Sequence, residues 1–152
     1  MRILLVAPSS NSGRMLPETP SRALLILGTL AQQRGHEVKV EHLDLIDYEG
    51  FATSLKDFKP EFVGITSNTF QVKSARLIAK EAKASGAKVI LGGPHASAWN
   101  DNTIDNKVVG EGENAFLELI GEKPLNSIDD IPIPDYDLVD LDRFCGIAPV
   151  GI

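Results

Sequence analysis

The chain has 152 residues, with 15 Lys+Arg against 21 Asp+Glu, 43% hydrophobic side chains and a single Cys. Such a length makes one ordinary domain, burying ~70% of the surface its unfolded chain exposes, and a lone thiol excludes an internal disulfide scaffold. No run approaches the ~20 apolar residues that span a bilayer, no signal-peptide stretch opens the chain, and a net charge of −6 argues against a phosphate-tracking nucleic-acid binder. The expectation is a cytoplasmic globular domain with no membrane and no nucleic acid among its partners.

Ile3-Leu4-Leu5-Val6 is an apolar run that stops at Pro8, as a strand buried on both faces does. Thr19-Pro20 reads as a helix N-cap, followed by Ala23, Leu24, Ile26, Leu27, Leu30 and Ala31 on the inward face and a stop at Gly35. Val38, Val40 and Leu43 alternate with polar residues, the pattern of a half-covered edge strand. Tyr48, Phe51, Leu55 and Phe58 have helical spacing and end before Pro60. Phe62-Val63-Gly64-Ile65 predicts a third strand; Val72, Ala75, Ile78, Ala79 and Ala82 predict a helix closed at Gly86. A fourth strand, Val89-Ile90-Leu91, precedes a short helix around Ala96–Asn102 and a brief fifth strand at Lys107-Val108-Val109. Ala115, Phe116, Leu117, Leu119 and Ile120 belong to a last helix ending at Gly121. This alternation predicts an α/β fold: a doubly wound, five-stranded parallel sheet, flavodoxin-like (Rossmann-like), in a three-layer sandwich of strand order 2-1-3-4-5.

Charge divides the chain. Residues 1–120 hold 13 basic and 14 acidic groups, whereas residues 121–152 hold Lys123 and Arg143 against seven acids and four of the nine prolines. The expected organisation is a compact domain over 1–120 and an extended, acidic, proline-rich tail over 121–152, either mobile or packed along the outside of the sheet.

In such sheets ligands bind beyond the carboxyl ends of the strands, at the switch point between strands 1 and 3. The candidates are therefore Ser10 in the first loop; Thr66, Ser67, Asn68 and Thr69 after strand 3; Gly92, Gly93, Pro94 and His95 after strand 4; and Gly110, Glu111 and Gly112 after strand 5. Glycine, hydroxyl and amide loops let a backbone approach a ligand and offer hydrogen bonds, but none carries a nucleophile beside a base. Gly110-Glu111-Gly112 with Ala115 matches G-x-G-x-x-A formally. Yet it follows the fifth strand, and Glu111 and Glu113 set negative charge where a pyrophosphate would lie. Its bland alternative is a turn into a helix whose first turn favours Glu113. His95 divides between ligand contact and loop packing; it has no second His or Cys at metal spacing. His36 reads as a turn residue, His42 as an exposed edge-strand residue, and Trp99 as cover for the sheet. A phospho-receiver would need an aspartate where Thr66-Ser67-Asn68 stands, and Gly13-Arg14-Met15-Leu16-Pro17 is no clean anion-binding helix start for a flavodoxin.

The loops, in their order, resemble the cobalamin-binding domain that precedes a radical S-adenosylmethionine domain. The resemblance is carried by Leu27-Gly28-Thr29-Leu30-Ala31 with Gly35-His36-Glu37-Val38, Pro60-Glu61-Phe62-Val63-Gly64-Ile65-Thr66-Ser67, Val89-Ile90-Leu91-Gly92-Gly93-Pro94-His95-Ala96-Ser97, Val108-Val109-Gly110-Glu111-Gly112-Glu113 and Ile128-Asp129-Asp130-Ile131-Pro132 with Pro134-Asp135-Tyr136-Asp137. Relatives of this kind include the anaerobic magnesium-protoporphyrin monomethyl ester cyclase and cobalamin-dependent methyltransferases. The resemblance implies an N-terminal accessory domain, itself not catalytic, that holds cobalamin over a barrel. The 4Fe-4S cluster, S-adenosylmethionine and a small-molecule substrate would then belong to a C-terminal domain of the same polypeptide, of oxidative cyclase or methyltransferase type.

One departure stands out: none of His36, His42 or His95 sits in a D-x-H-x-x-G motif, so the resemblance implies base-off cobalamin without a protein histidine on cobalt. Thr66, Ser67, Gly92 and Gly93 would contact the nucleotide tail, and Ser10 and Gly110–Glu113 would border the ring. The alternative within the family is a domain that has lost cobalamin and serves substrate binding or docking. A free-standing nucleotide- or sugar-nucleotide-binding enzyme domain is a third reading, opposed by the Glu111/Glu113 loop.

Overall fold

The first strand, β1 (Arg2–Ala7), alternates its buried side chains between two cores: Leu4 and Val6 face one side of the sheet, Ile3, Leu5 and Ala7 the other. That two-sided burial makes it the central strand on which the other layers are built. The computed structural model describes residues 1–9, 19–43 and 48–144, apart from the side chains of Tyr48 and Arg143.

Among the described residues the remaining elements are α1 (Arg22–Gln33), β2 (Glu37–His42), α2 (Tyr48–Phe58), β3 (Phe62–Thr66), α3 (Val72–Ala84), β4 (Lys88–Gly92), β5 (Asn106–Lys107) and α4 (Glu113–Leu119). The strands form one parallel sheet in the order β2-β1-β3-β4-β5, the flavodoxin-like arrangement. Phe51 and Leu55 of α2 and Ala75, Ile78, Ala79 and Ala82 of α3 cover one face, with Trp99. Leu24, Leu25, Leu30 and Ala31 of α1 and Phe116 and Leu117 of α4 cover the other. Gly35, Gly86 and Gly121 end three helices at positive φ (83°, 90° and 83°), where a Cβ would be strained.

Four local expectations change. The cap of α1 is Ser21, not Thr19: its Oγ accepts from the Leu24 N–H at 3.4 Å, and α1 buries Leu25, Gly28 and Thr29 while Ala23 stays exposed. His42 is half-buried rather than exposed, its Nε2 accepting from the Ser21 N–H at 2.8 Å and its ring edge-on to Phe144. In place of a helix over 96–102 there is one 3-10 turn, Ala96–Ala98. Asp101 draws in the Trp99 indole N–H at 2.9 Å, the Thr103 N–H at 3.0 Å and the Thr103 hydroxyl, a local network that competes with helix. Finally β5 is Asn106–Lys107; Val108 still donates to the Leu91 carbonyl at 2.8 Å, but Val109 turns out to solvent, 62% exposed.

Residues 121–144 run back along α1 and β2 as a strap, extended but punctuated by 3-10 turns at Ile128–Asp130, Tyr136–Leu138 and Leu141–Phe144. Leu125, Leu138 and Val139 pack on the α1-side core. The strap is also hydrogen-bonded to it: Leu125 N–H to Asn114 Oδ1 at 2.7 Å, and Asp135 N–H to the buried Thr29 Oγ1 at 2.8 Å.

Candidate functional site

Strand register sets the site. Leu5, Gly64 and Ile90 lie side by side on β1, β3 and β4, with their α1-facing sides forming a floor. Ile90 supplies a side chain and Gly64 none, so a crevice of about 170 Å³ opens there, walled by Ala23, Leu24 and Leu27 of α1 and by Glu113 and Phe116 of α4. A Cβ on Gly64 would come within 2.7 Å of Leu5 Cδ2. The rim is Thr66, Gly92, Gly93, Gly110 and Gly112. At Gly92 and Gly110 a Cβ would meet nothing within 4 Å, so their backbone faces open space.

Five of the residues expected from the sequence thus converge on one crevice: Thr66, Gly92, Gly93, Gly110 and Gly112. The others sit around it in different roles. Ser67 is fully buried; its N–H donates to the Gly92 carbonyl at 3.0 Å, its carbonyl accepts from His95 N–H at 3.0 Å, and its hydroxyl donates to the Asn68 carbonyl. Asn68 caps the turn at Thr69–Gln71, accepting from Phe70 and Gln71 N–H, and Gln71 Nε2 reaches the Pro8 carbonyl at 2.6 Å, tying the first loop to the third. Thr69, Pro94 and Glu111 are exposed outside the crevice wall, and the half-buried His95 turns its ring toward Trp99. Ser10 lies outside the described residues. Glu113, expected beside the ring, also lines the crevice, and Gly64, Leu5, Leu27 and Phe116 are crevice residues not expected from the loops; a glycine interrupting an apolar strand is the signal for them.

Electrostatically the crevice is simple. Glu113 is its one charged side chain among the described residues, and no Lys or Arg lines it. A larger depression of about 300 Å³ lies between β2, α2 and the strap, where Lys39 Nζ pairs with Glu41 at 2.8 Å and donates to Ser54 at 3.0 Å, and Asp140 Oδ1 accepts from the Asp142 N–H at 3.1 Å. His36 is held by Glu122 at 3.0 Å. No group of three or more His, Cys, Asp or Glu gathers as a metal site among the described residues. Nor is any described helix long and apolar enough to cross a membrane.

Residues 13–120 match the family model described as the B12 binding domain. The chain belongs to that family. This B12-binding domain is also similar to two larger proteins. It is 30% identical over 184 aligned positions to the uncharacterized methyltransferase PH0819 of Pyrococcus horikoshii, covering 95% of this chain and 40% of the relative. It is 32% identical over 133 positions to the bacteriochlorophyllide d C-8(2)-methyltransferase of Chlorobaculum tepidum, covering 84% of this chain and 27% of the relative. The chain therefore spans well under half the length of either.

The crevice residues suit the family's cofactor. Cobalamin is large, rich in neutral amides and far bigger than 170 Å³, so only one arm of it can enter. The open backbone at Gly92 and Gly110 leaves room for close approach of a ligand, while Leu5 Cδ2 fills the place a Cβ on Gly64 would take.

Proposed function

We propose that this B12-binding domain holds cobalamin with its nucleotide arm in the crevice floored by Gly64, as the accessory module of a radical S-adenosylmethionine methyltransferase. The observation that carries the reading is a glycine-rimmed crevice, lined by no Lys or Arg among the described residues, at the carboxyl ends of β1, β3 and β4 in a chain of this family. Thr66 Oγ1 and the Gly92 and Gly110 backbone would hold the arm. Cobalamin, when bound, supplies methyl-carrying chemistry; the domain's task is to orient it and to keep its underside dry. A cobalt without a protein histidine fits the engagement of His36 with Glu122, of His42 with Ser21 N–H and of His95 with Trp99. The relatives' names and their greater lengths support a further domain of methyltransferase type; a 4Fe-4S cluster, S-adenosylmethionine and a small-molecule substrate in that domain follow from the sequence resemblance alone.

Phe70, 67% exposed after β3, and Val109, 62% exposed after β5, favour a second reading, a docking module without cobalamin. Titration with hydroxocobalamin, read by visible absorbance and calorimetry, separates the two. The expected result is saturable binding with a base-off spectrum, abolished by Gly92→Phe, a substitution that points into open space and leaves the unfolding midpoint unchanged. Absence of saturable binding by the wild-type protein decides for docking.

A further inference from the structure

Glu113 is the first residue of α4 and the one charged side chain on the crevice wall among the described residues. Its neighbours on the helix leave it little freedom of position. Phe116, Leu117 and Ile120 are buried in the α1-side core, and Asn114 is bonded to the strap through Leu125 N–H. Glu113 is half-buried as a residue, yet its carboxylate makes no hydrogen bond or ion pair among the described residues, whereas the half-buried Glu41 and Asp101 both do. An ionised carboxylate only accepts, so one that protein donors leave to solvent on this wall is free to take an N–H or O–H brought by the ligand, and it repels negative charge at that point.

We infer that Glu113 is the recognition residue of the crevice: its carboxylate accepts a hydrogen bond from a neutral amide or hydroxyl of the bound group and excludes ligands that carry a carboxylate there. The inference rests on the cobalamin reading and assigns the wall facing α4 to an amide or hydroxyl of the ligand, with the anionic phosphate held away from it.

Calorimetric titration of the wild-type, Glu113→Ala and Glu113→Gln proteins tests it, with hydroxocobalamin and with its monocarboxylic acids, in which one peripheral amide is hydrolysed. For hydroxocobalamin, Glu113→Ala should weaken binding about tenfold or more, the scale of a hydrogen bond to a charged group, and Glu113→Gln should recover part of the loss through its remaining carbonyl acceptor. At least one monocarboxylic acid should bind the wild type less well than its parent, with the gap narrowed in both variants. Neither variant removes a hydrogen bond or ion pair among the described residues, so thermal midpoints should fall by no more than the loss of a first-turn acid from α4, and equally in Glu113→Ala and Glu113→Gln. Saturable wild-type binding with Glu113→Ala as tight or tighter overturns the role of Glu113 and leaves the cobalamin reading standing. Failure of the wild type to bind overturns both.

Discussion

Gly93 shows how a single missing Cβ holds two loops together. At φ +90° its backbone lies against Ser67, and an added Cβ would sit 2.8 Å from the Ser67 N, the Ser67 O and Thr66 Oγ1. Those backbone atoms cannot swing aside as the tip of a flexible side chain can, since Ser67 is hydrogen-bonded to Gly92 and His95. Gly93→Ala should therefore cost about 2–4 kcal/mol, the sum of a left-handed backbone penalty and overpacking, read as a fall in the urea midpoint. The same contact explains what the sequence did and did not reveal of the site. Gly92, Gly93, Gly110 and Gly112 were legible because glycine after a strand marks backbone exposure. Ser67 looked like one more ligand-facing hydroxyl, and only the close approach of Gly93 shows that it is turned inward. Gly64 was hidden for the opposite reason: it sits within an apolar run, where its missing side chain matters only because Leu5 and Ile90 flank it.

Among the elements, the β4–β5 connection departs furthest from its expected form, and its carboxylates explain why. For Asp101, burial opposes ionisation, but the Thr103 hydroxyl and N–H, the Trp99 indole and Arg76 together outweigh it and lower the pKa. For Asp105, the Val89 N–H leads, against burial, with Lys83 and Lys88 adding to the lowering. Both folded values lie below the ordinary 3.8, so each carboxylate stabilises the fold fully above that pH and progressively less as the pH falls through the lowered value. Asp105→Asn should lower the urea midpoint at about pH 7, and its deficit against the wild type should shrink at about pH 3. A deficit that stays constant with pH would trace the loss to packing instead. Helical periodicity could not anticipate this element, because the turn at Trp99 is held by side chains competing with the backbone. The long elements were legible for the complementary reason. α2 and α3 carry helical spacing, and β1 and β3 carry apolar runs, so tertiary packing only confirms what local pattern prefers.

At the scale of the molecule, the sheet's order followed from strand pattern: the alternating Val38 and Val40 placed β2 at an edge, and there it lies. The covering of its α1-facing side was legible only as one of two alternatives, because the strap's prolines and aspartates read as extended chain, mobile or packed along the outside of the sheet, and did not show that Leu125, Leu138 and Val139 dock there. Leu138 settles over Gly28, where a Cβ would come within 2.9 Å of Leu138 Cδ1 and 3.3 Å of Val40 Cγ2. A mid-helix glycine thus cuts the notch into which the strap fits, joining α1, β2 and the strap in one packed corner. The notch also has a protective consequence. An edge strand with an apolar face and unpaired backbone is a template on which another chain can add, and here the strap keeps that face out of reach. Shortening the protein to residues 1–120 should expose Gly28, Val38 and Val40 beside that open edge. Light scattering on warming should then rise well before the sheet unfolds, whereas the strapped protein should scatter only once it melts. On this account the acidic strap is an aggregation guard as much as a connector: its aspartates repel neighbouring molecules while its leucine and valine plug the surface on which they would otherwise assemble.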